Sequence, residues 1–320
     1  MDEFEIIRKY FKKNSKNNSG AKNLNDDVFF DKNYKLVVSI DSYNEGVHFP
    51  NFKHPNLVIK KVIKSSISDL IAKGVKPQYY FISGSGSKHH FTKKNLRLIS
   101  KSLNEEQKKY NIKLSGGDTV NASKVSFSIT TVGFSKYIVE RNKAKLNDDI
   151  YVTGNIGDSF LGLEIIKKKI KISSKLKNYF INQFYCPNLP YKICKEIHKF
   201  ANTSMDVSDG LVSDMCKLIN KQKLSFEIDI NKIPISNNLK NYFYKYKKKR
   251  TNYLFNGDDY QILFTASKKK RLLIKSIARK MNQKITKIGN INNGYKKNLL
   301  KLDNKPQNLT KFKGYSHKFR

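Results

Sequence analysis

Aspartate recurs in short apolar segments of this chain, usually beside glycine or serine, although acidic residues are scarce overall. The sequence contains 26 Asp and Glu residues against 63 Lys and Arg residues. An unpaired carboxylate is costly to bury in apolar surroundings, and oxygen-ligated Mg²⁺ is a common way to make several of them tolerable together. We therefore expect a fold that brings these segments to one magnesium cluster. The candidate carboxylates are Asp26, Asp27, Asp41, Asp69, Asp118, Asp206 and Asp209.

The apolar residues around these aspartates form both strand and helix patterns. Residues 36–41 are typical of a buried strand that ends on a carboxylate, and residues 125–133 alternate as a half-buried strand does. Residues 56–73 carry apolar side chains at helical spacing, and Gly74 is the expected C-terminal cap. This mixture predicts an α/β or α+β architecture.

The length of the chain is sufficient for two ordinary domains. The charged, asparagine-rich stretch 136–149 is the best candidate for a boundary, which predicts domains over residues 1–142 and 143–320. Residues 236–252 are rich in lysine and tyrosine, and we interpret them as an inserted surface segment.

Three glycine-containing segments are candidates for loops that contact a ligand. Residues 83–88 predict a Gly/Ser loop, and residues 113–119 predict a strand that runs into a Gly-Gly-Asp turn. Residues 149–159 predict a strand, a turn and a helix start, which would present backbone N–H groups to an anion. The chain contains no GxxxxGK[ST] motif, so this is not a P-loop.

The formal net charge of +37 would by itself suggest a nucleic-acid partner or an anionic membrane. Only seven of the basic residues are arginine, however, and readers of nucleic acids favour Arg for bidentate and stacking contacts. The excess of Lys, Asn and Ile is typical of an A/T-biased coding sequence with lysine spread over solvated faces. A nucleic-acid-binding protein stays open as an alternative of a different class.

The cysteines and the N-terminus indicate a cytoplasmic protein. Cys186, Cys194 and Cys216 show neither CxxC spacing nor a nearby histidine pair for zinc, and their odd number fits a reducing compartment. The first five residues are acidic and apolar rather than basic, which is not typical of a secretory signal. No segment approaches the ~18 apolar residues of a membrane span, so no membrane association is expected.

A group of aspartates without a P-loop is suited to holding a triphosphate through metal ions. Mg²⁺ takes hard oxygen ligands and usually retains waters and substrate phosphates, and it stabilises the charge that develops during phosphoryl transfer. A single aspartate in a turn is most often a cap or an Asx-turn, so the recurrence carries the argument.

The same segments, in the same order, resemble the thiamine-monophosphate kinase family, within the superfamily of aminoimidazole ribonucleotide synthetase and selenophosphate synthetase. The resemblance runs through nearly the whole chain, from the first acid pair to Gly314-Tyr315. The family patterns GDDAA, D..vEGvHF, NLSDLAAMGAxP, GGDTT, iyVTGxlGDS and iDxSDGLxxDl correspond to residues 25–29, 41–49, 66–77, 116–120, 150–159 and 205–215.

The resemblance implies an N-terminal domain that binds ATP and Mg²⁺ and a C-terminal α/β domain, with the nucleotide between the two domains. It also implies a homodimer in which the sheet of the N-terminal domain pairs with that of a second subunit. It implies transfer of the γ-phosphoryl group of ATP to thiamine monophosphate. The implied Mg²⁺ ligands are Asp27, Ser39, Asp41, Asp69, Asp118, Asp206 and Asp209. The implied ATP contacts are Gly117, Asp118, Arg141 and Ser208. The implied thiamine phosphate contacts are His48, Asp258 and Tyr315, and the implied catalytic residues are Asp118, Asp209 and Arg141.

Two departures from the family pattern bear on these roles. Asn25 stands where the pattern has glycine, and Asp258 stands where it has the longer glutamate. Within the superfamily, a selenophosphate synthetase would need a reactive cysteine near the N-terminus, whereas the first cysteine is Cys186. A hydrogenase-maturation relative would end in cysteine, and this chain ends in Arg320. An aminoimidazole ribonucleotide synthetase fits residues 45–49 and Gly314-Tyr315 less well.

Overall fold

The structure of the protein, a computed structural model, describes residues 1–309, 312 and 314–319. Two β-sheets with helices packed against them form the fold, which confirms the predicted α+β class. The strands are β1 (Phe29–Asp31), β2 (Leu36–Asn44), β3 (Pro77–Gly86), β4 (Lys113–Asn121), β5 (Ser126–Phe134), β6 (Asp149–Thr153), β7 (Thr203–Asp206), β8 (Leu224–Asp229), β9 (Ile262–Ala266), β10 (Ile285–Asn293), β11 (Leu299–Leu302) and β12 (Lys305–Gln307). The α-helices are α1 (Glu3–Ile6), α2 (Pro55–Ala72), α3 (Lys93–Tyr110), α4 (Asp158–Ile166), α5 (Ser174–Tyr185), α6 (Leu211–Leu218), α7 (Asn237–Lys245) and α8 (Arg271–Lys280).

The first sheet has the strand order β1-β2-β5-β3-β4, with only β3 and β4 parallel. Its inner face carries Val37, Phe127 and Ile129, which are buried, and α2 packs against it. Its outer face is uncovered and leaves Ile40 70% exposed and Phe81 41% exposed. β4 forms one edge and is exposed along its whole length.

The second sheet has the strand order β12-β11-β8-β10-β6-β9-β7. Its central strands are apolar on both faces, as in a sheet covered on both sides, and Ile150, Val152 and Leu263 are fully buried. The edge strand β7 runs directly into the loop that precedes α6. No helix in the part of the chain that the structure describes is long and apolar enough to cross a membrane.

Helix α2 is the central element, because it contacts β2 and β5 of the first sheet and β7 of the second. Most of its residues are buried, including Lys61 and Lys64. The helix ends at Ala72, and Gly74, two residues later, has a φ of 80°, in the left-handed region that glycine adopts without strain. The predicted helix and its glycine cap are both confirmed.

Two predicted loops are strands, because both segments pair with neighbours along their length. The Gly/Ser stretch continues β3 to Gly86, where Ser85 Oγ lies 2.7 Å from Ser126 Oγ of β5. The predicted Gly-Gly-Asp turn continues β4 to Asn121. A Cβ on Gly117 would lie 1.9 Å from the Ile82 carbonyl oxygen, so glycine is needed for this close pairing.

The lysine- and tyrosine-rich segment 236–252 is only partly the surface insertion that its composition suggested. It contains α7, which buries Leu239 and Tyr242 in the core of the second domain. Tyr242 Oη lies 3.0 Å from Tyr253 Oη, so this helix is tied to the strand connection that follows. The surface interpretation is wrong for this apolar face, because Leu239 and Tyr242 are three residues apart and therefore lie on one side of the helix, which is buried.

Candidate active site

A cleft of about 910 Å³ lies between the two sheets and is bordered by the chain termini. It gathers predicted residues that are far apart in the sequence. The predicted residues on its wall are Asp27, Asp41, His48, Asp69, Arg141, Asp206, Ser208, Asp209, Asp258 and Tyr315.

Four carboxylates from four different elements meet in this cleft. Asp27 precedes β1, Asp41 lies on β2, Asp69 on the last turn of α2, and Asp206 at the end of β7. Ser68 Oγ donates a hydrogen bond of 2.5 Å to Asp206 Oδ2, which ties α2 to β7. These four residues are named here the carboxylate cluster.

Burial and mutual repulsion act against ionisation of three members of the cluster. Burial, together with the charge of Asp27, raises the pKa of Asp41 to about 7 and that of Asp206 to about 8. The pKa of Asp69 is also raised well above its ordinary value, by burial and then by the charges of Asp41 and Asp206. Nearby like charges and low dielectric both favour the neutral acid.

Asp27 differs, because two buried cations hold it ionised. Lys73 Nζ lies 2.7 Å from Asp27 and 2.7 Å from Asp26, and the guanidinium of Arg141 forms a two-nitrogen contact with Asp27. Burial alone would raise the pKa of Asp27, but Arg141 and Lys73 lower it well below its usual range. Arg141, whose pKa is raised by the same acids despite its burial, therefore reaches the cluster through Asp27.

The Ser-Asp-Gly loop between β7 and α6 is held by a fully buried acid. Asp214 Oδ2 accepts hydrogen bonds of 3.0 Å from the backbone N–H groups of Ser208, Asp209 and Gly210. Lys217 forms ion pairs with both Asp209 and Asp214. Asp209 and Ser208 thus face the cleft from a loop whose backbone is fixed from behind.

Aromatic and imidazole rings line the cleft beside the Ser-Asp-Gly loop. His48 Nδ1 accepts a hydrogen bond of 2.9 Å from the Asn44 backbone, and its ring lies 5.4 Å from that of His317. Burial, together with His317, lowers the pKa of His48 to about 4. The Tyr315 backbone N–H donates to the Asp209 carbonyl at 2.9 Å, and its ring lies 5.0 Å from that of His317.

Three residues with implied ligand roles, Ser39, Gly117 and Asp118, do not line the cleft. Ser39 is buried under α2, where its hydroxyl lies 3.1 Å from Thr131 Oγ1. Gly117 and Asp118 lie on the edge strand β4, and Asp118 accepts a hydrogen bond of 2.7 Å from the Thr119 N–H. Their predicted roles as ligands stay predictions.

Asp118 and Asp41 are separated by the sheet itself. Strands β5 and β3 lie between β2 and β4, which puts the two residues roughly 14 Å apart at the usual strand spacing. Asp118 pairs with Ser83, which pairs with Ser128, whose hydroxyl lies 2.9 Å from Ser42 Oγ on the outer face. Because successive residues point to opposite faces, Asp118 faces outward whereas Asp41 faces the cleft.

The carboxylate cluster has the donor chemistry that Mg²⁺ requires. Within the described residues no group of three or more His, Cys, Asp or Glu side chains is placed so that it could hold a metal ion. Mg²⁺ needs no such set, because it usually binds one or two carboxylates together with waters and substrate phosphates. Burial and mutual repulsion oppose the ionisation of these acids, and a divalent cation bound by one or two of them would offset both effects.

Sequence reasoning missed four residues that shape the cleft. Lys73 and Lys61 looked like ordinary lysines of a basic chain, yet both are buried and paired with aspartates of the site. Asp214 lay within a quoted motif, and its position four residues after Gly210 was a signal of loop capping. His317 had no pattern that could identify it.

Two family models match most of the chain. Residues 25–135 match the family "AIR synthase related protein, N-terminal domain", and residues 146–300 match "AIR synthase related protein, C-terminal domain". The thiamine-monophosphate kinase of Buchnera aphidicola from Acyrthosiphon pisum is 34% identical over 98% of both chains.

Two solved structures extend the likeness to the fold. A structure described as "AaThiL complexed with AMPPCP and TMP" is 29% identical, covers 99% of this chain and 97% of its own, and superposes with a TM-score of 0.85. The thiamine monophosphate kinase of Aquifex aeolicus is 31% identical over 85% of this chain and 89% of its own, with a TM-score of 0.74. The chain therefore belongs to the thiamine-monophosphate kinase family of AIR synthase related proteins.

Proposed function

We propose that this protein transfers the γ-phosphoryl group of ATP to the phosphate of thiamine monophosphate, giving thiamine diphosphate and ADP, with Mg²⁺. The observation that carries the proposal is the carboxylate cluster in the interdomain cleft of a chain of this family. A relative's structure was solved with AMPPCP, an ATP analogue, and TMP, which supports both substrates.

The reaction is an in-line displacement at the γ-phosphorus. A phosphate oxygen of thiamine monophosphate forms the new P–O bond while the bond from the γ-phosphorus to the β,γ-bridging oxygen breaks and ADP leaves. The attacking oxygen is already anionic, so no general base is needed. Bound Mg²⁺ would neutralise the charge that spreads over the phosphate oxygens.

The chain's own contribution is to hold and align the two anionic substrates. We assign Mg²⁺ binding to the carboxylate cluster and Asp209, and nucleotide binding to Arg141 and Ser208. The fixed backbone of the Ser208–Gly210 loop keeps these groups in one geometry, which favours the reactive alignment. Contacts to thiamine monophosphate are assigned to His48, Asp258 and Tyr315, the last two of which are hydrogen-bonded to the Ser208–Asp209 backbone.

We also propose that the protein is a homodimer that pairs through the outer face of its first sheet. This face exposes a contiguous set of large apolar side chains that a monomer would leave in water. The exposed side chains on this face are Ile40, Tyr79, Phe81, Val120 and Phe134. A two-fold pairing would bury this face against itself, as isologous interfaces do.

Such pairing could bring Asp118 and Gly117 of one protomer next to the nucleotide site of its partner. Within one chain Asp118 faces away from Asp41, on the face proposed for pairing. We therefore propose that the Asp118 of one protomer completes the metal and ATP site of its partner, together with that partner's own carboxylate cluster.

The activity is tested by incubating purified protein with ATP and thiamine monophosphate and measuring thiamine diphosphate and ADP. Parallel reactions contain the aminoimidazole ribonucleotide precursor or selenide in place of thiamine monophosphate. We expect product only with thiamine monophosphate and only with Mg²⁺. ATP consumption with one of the other acceptors, and none with thiamine monophosphate, would overturn the proposal.

Sharing of the site is tested by mixing two inactive variants, Asp118→Asn and Asp41→Asn. If each site takes Asp41 from one protomer and Asp118 from the other, a mixed dimer has one intact site. Subunit exchange should then restore roughly a quarter of wild-type activity, by random assortment of two protomer types. Absence of recovery in a mixture proven to exchange subunits would place Asp118 in its own protomer's site.

A further inference from the structure

A buried lysine lies directly behind Asp258, the acid that we assign to the thiamine phosphate end of the cleft. Lys61 Nζ is 2.6 Å from Asp258 Oδ1, and the Lys61 side chain is 1% exposed whereas that of Asp258 is 26% exposed. Asp258 lines the cleft, and Lys61 on α2 reaches it only through this carboxylate.

The ammonium of Lys61 is fixed on several sides. The Phe184 carbonyl accepts a hydrogen bond of 3.3 Å from Lys61 Nζ, which also lies 3.9 Å from the Phe184 ring centroid. Tyr260 Oη donates a hydrogen bond of 3.0 Å to the same Asp258 Oδ1. One carboxylate oxygen thus takes two donors, and among the described residues Oδ2 takes none, so it is free to face the cleft.

The backbone that carries Asp258 is also held in a strained conformation. Asp258 has a φ of 63° and Tyr260 a φ of 49°, both in the left-handed region that L-residues rarely adopt. The Asp258 N–H donates to the Ser208 carbonyl at 2.8 Å, which ties this turn to the Ser-Asp-Gly loop. Strain of this kind persists where the surroundings over-determine it, and it concentrates at ligand sites.

Stability alone gives little reason for such a pair. The desolvation of a buried ion pair commonly offsets its attraction, so apolar residues of similar volume serve packing equally well. When the acid of such a pair faces a ligand cleft, the pair can serve binding, because it fixes the direction in which the second carboxylate oxygen accepts a hydrogen bond. The aminopyrimidine and thiazolium rings of thiamine offer an N–H donor and a positive charge to such an acceptor.

We propose that Lys61 is a positioning residue for thiamine monophosphate, acting through Asp258. With Tyr260 it orients the carboxylate so that its free oxygen meets the thiamine moiety, through the aminopyrimidine N–H or the thiazolium charge. This inference rests on the proposed function and adds a residue that determines affinity for the phosphate acceptor rather than for ATP.

The chain offers a matched control on the same helix. Lys64 is 2% exposed and pairs with Glu106 at 3.2 Å and with Tyr110 Oη at 2.8 Å, away from the cleft. Lys61→Met and Lys64→Met each remove one buried ammonium from α2. Their general effects on folding are therefore similar, but only the first disturbs an acid on the cleft wall.

We expect Lys61→Met to raise the KM for thiamine monophosphate about tenfold, equivalent to ~1.4 kcal/mol, and to leave the KM for ATP within about twofold. Lys64→Met should leave both KM values within about twofold. Calorimetry with thiamine monophosphate alone should show the same tenfold loss of affinity. If Lys61→Met does not fold, Lys61→Gln, which keeps a donor, should give a rise of roughly threefold.

A double-mutant cycle with Asp258→Asn tests whether Lys61 affects thiamine monophosphate binding through Asp258. If Lys61 acts through Asp258, adding Lys61→Met to Asp258→Asn should raise the KM for thiamine monophosphate no further. Additive effects, or a wild-type KM in Lys61→Met, would overturn the inference while the wild-type enzyme still forms thiamine diphosphate. A wild-type protein that neither binds nor phosphorylates thiamine monophosphate would overturn the proposed function and this inference together.

Discussion

Asp206→Asn should stabilise the protein when no metal is present, because it removes a carboxylate whose ionisation the fold opposes. Asp206 is 3% exposed, and burial together with the charge of Asp27 raises its pKa to about 8. The unfolded chain holds the same group at its ordinary value of 3.8. At pH 7 the folded protein must therefore keep Asp206 protonated although the unfolded chain would release the proton.

The magnitude follows from linkage between protonation and folding. From pH 3.8 to pH 7 the penalty accumulates at ~1.4 kcal/mol per pH unit, which gives about 4 kcal/mol. Asparagine loses part of the hydrogen bond from Ser68, which is worth about 1–2 kcal/mol. The expected net gain in unfolding free energy is therefore about 2–3 kcal/mol at pH 7.

The sign of the pH dependence is fixed by the direction of the shift. The folded pKa of Asp206 lies above the unfolded one, so the penalty is absent below pH 3.8, grows between pH 3.8 and 8, and is constant above. Once the weakened hydrogen bond from Ser68 is subtracted, the net gain from Asp206→Asn should vanish near pH ~5, become a small loss below that pH and be largest at pH 8 and above. Mg²⁺ should stabilise the wild-type protein more than the variant, because it favours the ionised carboxylate.

Urea denaturation of both proteins in EDTA, at pH 4.5 to 8, measures this gain as a shift of the midpoint at constant m value. Asp149→Asn is the matched control with the opposite sign. Asp149 is buried but paired with Arg271 at 2.5 Å and Lys287 at 2.7 Å, and although burial opposes it, these cations lower its pKa to about 2. Asp149→Asn should therefore destabilise the protein at pH 7. An Asp206→Asn variant that is also less stable than the wild type at pH 7 would refute the reasoning.

Three further predictions address other parts of the site. Asp118→Asn and Asp209→Asn should each reduce turnover by more than about a hundredfold while circular dichroism remains native, because charge stabilisation in the transition state is lost; near-normal rates would count against the assignment. His48 should stay neutral from pH 5.5 upward, because burial lowers its pKa to about 4; an NMR titration midpoint near 6.5 would contradict this. Ile40→Lys should shift the protein from dimer to monomer in sedimentation, since a charge would enter the apolar outer face; an unchanged dimer would locate the interface elsewhere.

The periodicity of the chain was enough to predict the helices that matter most and the fold class. Helix α2 was predicted over residues 56–73 with its glycine cap, and it spans Pro55–Ala72. Gly/Ser-rich strands were harder, because their composition is that of loops. Residues 83–86 and 116–121 are strands only because each pairs with a neighbour, which local sequence does not encode.

Among the acids, sequence reasoning identified the members of a site but not their arrangement. Asp27, Asp41, Asp69 and Asp206 were expected together, and they line one cleft. Asp118 carried an equally strong motif, yet the strand register places it on the opposite face of the sheet from Asp41. The face that a residue occupies depends on register, and a motif does not contain the register of distant strands.

By itself the sequence determined the principal elements such as α2 and β5, which acids lie in family motifs, and that the chain resembles ATP-dependent phosphotransferases. Only the tertiary structure decided which charges meet. Ser68 and Asp206 are 138 residues apart and lie 2.5 Å from each other, and Lys61 reaches Asp258 across 197 residues. These contacts arise from the packing of α2 between two sheets. Buried lysines and aspartates there become paired charges or neutral acids, because a low dielectric strengthens the electrostatic effect of each neighbouring charge.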